Sequence, residues 1–182
     1  LKVSNQLTAS RRKEIELALE DESGSPKGWS RATGVKQHRI IRKRIRPGQI
    51  RTISFPLLVS RMGDDWPTRL TVIHGARPGP VVTILGAVHG DELVGPLALT
   101  HLLGSAFTGP GKPLDPEAMA GTLRIVPVVN LPGYRMHTRY FPDGRDLNRA
   151  FPGTEAGNTT SRVAHRVWHQ LVKDSDYVID LH

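Results

Sequence analysis

The stretch VVTILGAVHGDELVG, residues 81–95, runs from a continuous apolar segment straight into an imidazole and two carboxylates. VVTILGAV is rich in β-branched residues, which is typical of a strand buried on both faces. After it, four apolar residues follow at helical spacing: Leu93, Leu97, Ala98 and Leu102. We therefore predict a strand and then a helix, with His89, Asp91 and Glu92 at the turn that joins them. Gly90 removes bulk at this turn and lets the backbone bend sharply.

Strand and helix patterns alternate along the rest of the chain. The segments RLTVIHG (69–75), TLRIVPVVN (122–130) and DYVIDLH (176–182) predict strands. SRVAHRVWHQLV (161–172) predicts a helix that begins after capping residues at 158–160. Its apolar stripe comprises Val163, Ala164, Val167, Trp168, Leu171 and Val172. This alternation predicts an α/β fold, a mostly parallel or mixed central sheet with helices on both faces.

The flanking segments give coarser predictions. TASRRKEIELALEDES (8–23) favours a short helix, and HRIIRKRIRPGQIRTISFPLLVS (38–60) favours two strands around a Pro47–Gly48 turn. We expect loops over roughly 105–121 and 131–157. Because the chain begins at Leu1 and stops at His182 inside a predicted strand, we expect a domain that is truncated at its carboxyl end.

Composition sets the class of protein. A chain of 182 residues with 38% apolar residues is long enough for one domain with a core. The lack of cysteine excludes a disulfide scaffold and thiolate zinc sites, and it fits a reducing compartment, so we expect a cytoplasmic protein. No apolar run approaches the ~20 residues of a membrane span, so we expect no membrane partner.

The positive charge is concentrated near the amino terminus. The net charge is +8, but no acidic residue lies between Glu22 and Asp64, and segment 27–61 holds ten basic residues. Aromatic residues that could stack on bases are nearly absent there, with Trp29 and Phe55 alone. We therefore interpret the basic segment as a solvated surface, or as charge that protects a strand edge from pairing. We expect no nucleic-acid partner.

Three predicted strands end in polar residues, at His89, Asn130 and His182. The working residues of α/β sheets gather at the carboxyl ends of their strands. His89 and Glu92 are three residues apart, so an imidazole nitrogen and a carboxylate oxygen can face one zinc ion. A catalytic zinc needs a third protein ligand, for which His182 is the candidate. The alternative is a terminal histidine without a partner.

The loop HTRYFPDGRDLNRAFPG, residues 137–153, is rich in arginine and suggests an anionic substrate. Arginine binds carboxylates through two parallel hydrogen bonds, and Asn148 beside Arg149 adds a directional donor. Together with zinc, this pair indicates hydrolysis of a substrate that carries a carboxylate. The alternative is a surface loop in which Asp143 or Asp146 pairs with an arginine.

The motifs GAVHGDE, DGRDLNRAFPG and YVIDLH, in this order and spacing, resemble the succinylglutamate desuccinylase/aspartoacylase family. These are zinc hydrolases related in fold to the carboxypeptidase A type metallopeptidases. The resemblance covers roughly residues 45–182. It implies that residues 36–182 are the amino-terminal part of a zinc hydrolase catalytic domain, with 1–35 as a peripheral segment.

The resemblance also implies roles for individual residues. It implies one zinc ion on His89, Glu92 and His182, with Asn148 and Arg149 holding the substrate carboxylate. It places the arginine that polarises the scissile carbonyl at Arg139, with Arg145 as the alternative. The family's general base is a glutamate well after the third zinc ligand, beyond the end of this chain.

The implied activity is a zinc-dependent amidohydrolase that deacylates a small, carboxylate-bearing N-acyl amino acid. Two alternatives stay open: a zinc carboxypeptidase acting on peptides, and an inactive remnant that only binds metal. His165 and His169, four residues apart on the predicted helix, could bind metal, but the preferred interpretation is a pair that faces solvent.

Overall fold

The computed structural model describes residues 2–5, 38–59 and 65–182. Its strands are β1 (Lys2–Asn5), β2 (His38–Ile40), β3 (Lys43–Ile45), β4 (Gln49–Val59), β5 (Asp65–His74), β6 (Arg77–Gly86), β7 (Ala120–Val126) and β8 (Tyr177–Leu181). Its helices are α1 (Val94–Leu102), α2 (Leu131–Met136) and α3 (Thr159–Val167), which continues as a π-helical turn over Trp168–Val172; a 3₁₀ turn spans Leu147–Arg149.

Six strands form one mixed sheet in the order β1–β8–β6–β7–β5–β4. β6 lies between β7 and β8 and is parallel to both, whereas β5, β4 and β1 join antiparallel. The carboxyl ends of the three parallel strands therefore meet at one edge. The mixed sheet that the sequence predicts is confirmed.

Helices cover both faces of this sheet, as predicted. On one face, α3 and the turn after it pack Val163, Val167 and Leu171 into the larger apolar cluster, which includes Leu85 of β6. On the other face, Leu99 of α1 packs in a smaller cluster. The two faces of β6 are therefore buried unequally: Val81, Thr83 and Leu85 are buried, and the residues between them are half-buried.

The buried side of α1 differs from the predicted stripe. Gly95, Pro96 and Leu99 face the core, whereas Leu97 is 66% exposed. Gly95 determines this orientation because a Cβ there would lie 2.6 Å from the carbonyl oxygen of Leu181. α1 therefore packs Gly95 closely against β8. The spacing of the leucines in the sequence does not reveal this close approach.

Two further predictions need correction. The strand predicted over 122–130 ends at Val126, because Pro127 cannot donate to the ladder. The loop predicted over 131–157 begins with α2, which Asn130 caps by accepting a hydrogen bond from the Gly133 N–H at 2.9 Å.

The region before β5 contains one more strand than predicted. β2 and β3 form a separate hairpin around Ile41 and Arg42, which have φ angles of 49° and 59°, and β4 follows the Pro47–Gly48 turn. The helix predicted over 8–23 lies outside the described residues. Within the described ranges, no helix has the length and apolar character needed to cross a membrane.

Candidate metal centre

Three metal-ligating side chains meet at the carboxyl edge of the parallel strands. Because β6 and β8 are parallel neighbours, the segments that follow them lie side by side. His89 and Glu92 follow β6, and His182 follows β8. One ligand atom of each residue lies within 4.8 Å of the other two. The His89 and His182 rings are nearly perpendicular, with centroids 4.4 Å apart. The structure thus brings together the three residues that the sequence suggested as ligands.

His89 is fully buried and faces a carboxylate at each ring nitrogen. Its Nδ1 lies 2.9 Å from Glu92 Oε1, and its Nε2 lies 2.9 Å from Asp146 Oδ1. A neutral imidazole carries one N–H, so it donates to only one of these oxygens. The other contact needs a second proton or a cation. A metal ion bound by His89 and Glu92 would satisfy both groups while Asp146 keeps the Nε2–H.

Glu92 offers a second sign that a cation fits here. Within the described residues, its Oε2 is buried and has no hydrogen-bond partner. A buried polar atom of this kind is uncommon, and an ion that it coordinates is one explanation. Two imidazoles and one carboxylate are also a donor set that zinc accepts, with a fourth position left for water.

Asp146 orients His89, a role that the sequence analysis missed. Burial of the Asp146 carboxyl acts to raise its pKa, but hydrogen bonds from His89, the Asn148 N–H and Arg139 outweigh burial and hold that pKa below its usual value of 3.8. Asp146 is therefore an anion at neutral pH. A carboxylate that accepts from a ligand histidine fixes its tautomer and ring orientation. Its position in DLNR gave no sign of this role.

Arg139 lies at the rim of the centre. Its Nη2 donates to Asp146 Oδ2 at 3.1 Å, and its Nη1 lies 3.8 Å from Glu92 Oε1. The side chain is 38% exposed, so N–H groups remain for a ligand. The internal pairing considered for this loop therefore occurs between Arg139 and Asp146. Arg145 is exposed, and its side chain forms no hydrogen bond or ion pair with a site residue among those described.

The loop that carries Arg139 is fixed by a backbone contact between two glycines. A Cβ on Gly90 would lie 2.0 Å from the carbonyl carbon of Gly133 in α2. Asn130 is not directed at the metal centre; its Nδ2 donates to the Arg139 carbonyl at 3.2 Å. Gly90 is therefore needed for close packing, and the left-handed residue of the turn is Ala87, with a φ of 45°.

Asn148 and Arg149 lie in the 3₁₀ turn directly after Asp146. The turn is capped by Asp146 Oδ1, which accepts from the Asn148 N–H at 2.9 Å. Asn148 is half-buried and Arg149 is exposed, and neither side chain forms a hydrogen bond or ion pair with another described residue. The carboxylate that orients His89 therefore also anchors the Asn-Arg pair beside the centre.

Asp180 holds His182, a second contact that sequence analysis missed. Asp180 and His182 are two residues apart, so both side chains lie on the same side of the extended chain. Asp180 Oδ2 lies 2.9 Å from His182 Nδ1. When Nδ1 donates its hydrogen to this carboxylate, the Nε2 atom of His182 carries the lone pair that could bind a metal ion. The spacing of two in DLH is the signal that could have shown this contact.

Comparisons with known proteins identify the family of this chain. The model of the succinylglutamate desuccinylase/aspartoacylase catalytic domain matches residues 78–182. N-alpha-acetyl-L-2,4-diaminobutyric acid deacetylase from Halomonas elongata is 38% identical over 105 residues, which are 57% of this chain and 28% of that protein.

Two solved structures show the same fold. The succinylglutamate desuccinylase/aspartoacylase from Rhodobacter sphaeroides has a TM-score of 0.61 and 31% identity, over 74% of this chain and 39% of that one. The ectoine utilization protein EutE from Ruegeria pomeroyi, in its product-bound structure, has a TM-score of 0.59 and 30% identity, over 72% and 39%. The chain thus spans less than half the length of these relatives. With a family match over more than half of its residues, it belongs to the succinylglutamate desuccinylase/aspartoacylase family.

Proposed function

We propose that this chain is the metal-binding part of a zinc-dependent amidohydrolase that removes the acyl group from a small, carboxylate-bearing N-acyl amino acid. The observation that carries the proposal is the convergence of His89, Glu92 and His182 beside the guanidinium of Arg139. In domain terms, residues 36–182 would form the amino-terminal part of the catalytic domain. Residues 1–35 would be peripheral, with Lys2–Asn5 attached as the edge strand β1.

His89, Glu92 and His182 would hold the zinc ion. When bound, zinc lowers the pKa of a coordinated water and polarises a carbonyl oxygen. Two observations support this assignment: the Oε2 atom of Glu92 is buried without a hydrogen-bond partner, and His89 Nδ1 faces a carboxylate oxygen. A bound cation would satisfy both groups.

Arg139 would stabilise the negative charge that develops on the carbonyl oxygen during attack. Its position supports this role, since two carboxylates hold one edge of the guanidinium and leave other N–H groups free. Donors that are fixed before the reaction need no reorganisation when the charge forms. Arg139 is therefore a stronger candidate than the exposed Arg145.

Asn148 and Arg149 would bind the substrate carboxylate. Their side chains are uncommitted among the described residues, and the turn that carries them is anchored to Asp146. Binding the carboxylate there would present one amide to the metal centre, which is a positioning effect.

The general base would come from the part of the complete protein that this chain does not include. Each acidic side chain at the centre already has a partner: Glu92 faces His89, Asp146 binds His89 and Arg139, and Asp180 binds His182. Hydrolysis is therefore a proposal for the complete protein, and metal binding is the part that this chain can be tested for directly.

The first test is metal content, measured by elemental mass spectrometry on the wild-type chain and on His89→Ala. We expect about one zinc per chain in the wild type and a loss in the variant. His101→Gln is the matched control, because His101 is exposed on α1 and belongs to no metal cluster among the described residues. Folded wild-type protein that takes up no zinc would contradict the proposal.

The second test uses the complete protein and a substrate panel. N-acetyl-aspartate, N-succinyl-glutamate and Nα-acetyl-diaminobutyrate would be compared with short peptides. We expect hydrolysis of acyl amino acids that Arg139→Met reduces by roughly 100-fold or more in kcat. Preferred cleavage of peptides would favour the carboxypeptidase alternative, and zinc binding without turnover would favour the remnant.

A further inference from the structure

Two histidines lie close together on the helix that packs into the larger apolar cluster. His165 belongs to α3 and His169 to the π-helical turn that continues it. Their ring centroids are 4.2 Å apart and the rings are tilted by 44°. We propose that these two imidazoles form a second transition-metal site, separate from the centre at His89, with water completing the coordination.

The donor atoms of this pair are available. Within the described residues, neither ring forms a hydrogen bond or ion pair, although His165 is half-buried and His169 is exposed. Residues four apart on a helix lie on the same face, so both rings can turn toward one ion without moving the backbone. Neutral imidazole is a preferred ligand of copper, nickel and zinc.

The pair opens into a cavity that has room for an ion and its water ligands. The cavity has a volume of about 150 Å³, and Leu57, Leu58, Glu155 and Gln170 line it together with the two histidines. Glu155 contributes a carboxylate whose negative charge favours a cation. Leu57 and Leu58 form an apolar floor, because both are buried in β4.

Two arginines oppose cation binding and limit its strength. Arg162 and Arg166 line the same cavity, and Arg166 is directed to the Pro56 carbonyl by a hydrogen bond of 2.9 Å. Glu155 offsets one of these two charges. We therefore expect weaker binding than at the centre of His89, Glu92 and His182. Copper should bind most tightly, because affinity at nitrogen ligands rises to Cu²⁺ along the divalent series.

The test measures Cu²⁺ binding by calorimetry in His89→Ala, a background that disables the first centre. We expect about one Cu²⁺ per chain to remain. Adding His165→Gln or His169→Gln should remove this binding, whereas adding His101→Gln, the exposed control on α1, should leave it unchanged. Circular dichroism and thermal melting check that each variant is folded.

A measurement on the unmodified chain guards against variants that fail to fold. Once a first equivalent of Cu²⁺ has filled the tighter centre at His89, a further substoichiometric amount should broaden the ring-proton NMR signals of His165 and His169 together, before those of His101 and His137. Equal broadening of all exposed histidines would overturn the proposal. So would Cu²⁺ binding that survives both substitutions, or binding of inorganic phosphate without any binding of Cu²⁺, which would make the cavity an anion site of the two arginines.

Discussion

Two of the histidine-containing pairs in the described part of the chain look alike in sequence and differ in how they are held. His89 and Glu92 are three residues apart at a strand-to-helix turn, and His165 and His169 are four apart on a helix. His89 is fully buried with a carboxylate at each ring nitrogen, whereas no described residue fixes either ring of the helical pair. The difference indicates that short spacing can supply candidate ligands, whereas packing and oriented carboxylates are what hold an imidazole in one position.

The largest effect is expected from removing the packing that fixes the first centre. Gly90→Ala would place a Cβ 2.0 Å from the Gly133 carbonyl carbon, a backbone atom that cannot move aside cheaply. We expect the free energy of unfolding to fall by at least about 3 kcal/mol, measured by urea denaturation.

Gly144→Asn is the matched control for this change. A Cβ on Gly144 would meet no atom within 4 Å, and asparagine tolerates the left-handed backbone found there, with a φ of 73°. Equal stability of the two variants would show that the Gly90–Gly133 contact does not fix the centre.

A smaller effect is expected from removing the carboxylate that orients His89. Asp146→Asn keeps the size of the side chain but loses the charge that accepts from His89 Nε2 and Arg139. We expect zinc affinity to fall by roughly 10- to 100-fold, measured by competition with a chromogenic chelator.

Asp143→Asn provides the comparison for Asp146. Asp143 lies in the same loop but accepts from the Thr160 N–H at 2.9 Å at the start of α3, away from the centre. Its substitution should lower stability and leave zinc affinity unchanged. If both variants lose affinity equally, Asp146 acts through loop stability and not through His89.

The smallest effect is expected from removing the carboxylate that contacts His182, another of the candidate ligands. Asp180→Asn should reduce zinc affinity by less than about tenfold, because the side chain of His182 is 32% exposed and its pairing is less buried than that of His89. The same chelator competition measures it. A loss larger than that of Asp146→Asn would reverse the order of importance and make His182 the ligand that depends most on its carboxylate.

The local sequence pattern predicted those helices and strands in which the apolar residues of the pattern are the ones that are buried. Most of the predicted stripe of α3 packs into the larger apolar cluster, although Trp168 is half-buried and belongs to neither cluster. The strands β6 and β8 cover most of the apolar runs at 81–88 and 176–182. α1 did not follow its leucine spacing, because the contact of Gly95 with β8 is long-range and leaves no periodic signal. Arg124 also departed from expectation: in a strand predicted as apolar, it is buried and donates to the Leu171 carbonyl at 2.8 Å.

The sequence by itself determined the α/β class, the family resemblance, and the identity of the three candidate ligands, since a histidine or glutamate at a strand end is visible without coordinates. Only the tertiary structure decided which loop residues join them. Asp146 and Arg139 lie far along the chain from His89 and Glu92. Asp146 contacts His89, and Arg139 contacts Asp146 and Glu92, where two glycines let α2 pack against the turn after β6. Contacts of this kind depend on chain crossings and on the absence of a Cβ, and neither produces a pattern in the local sequence.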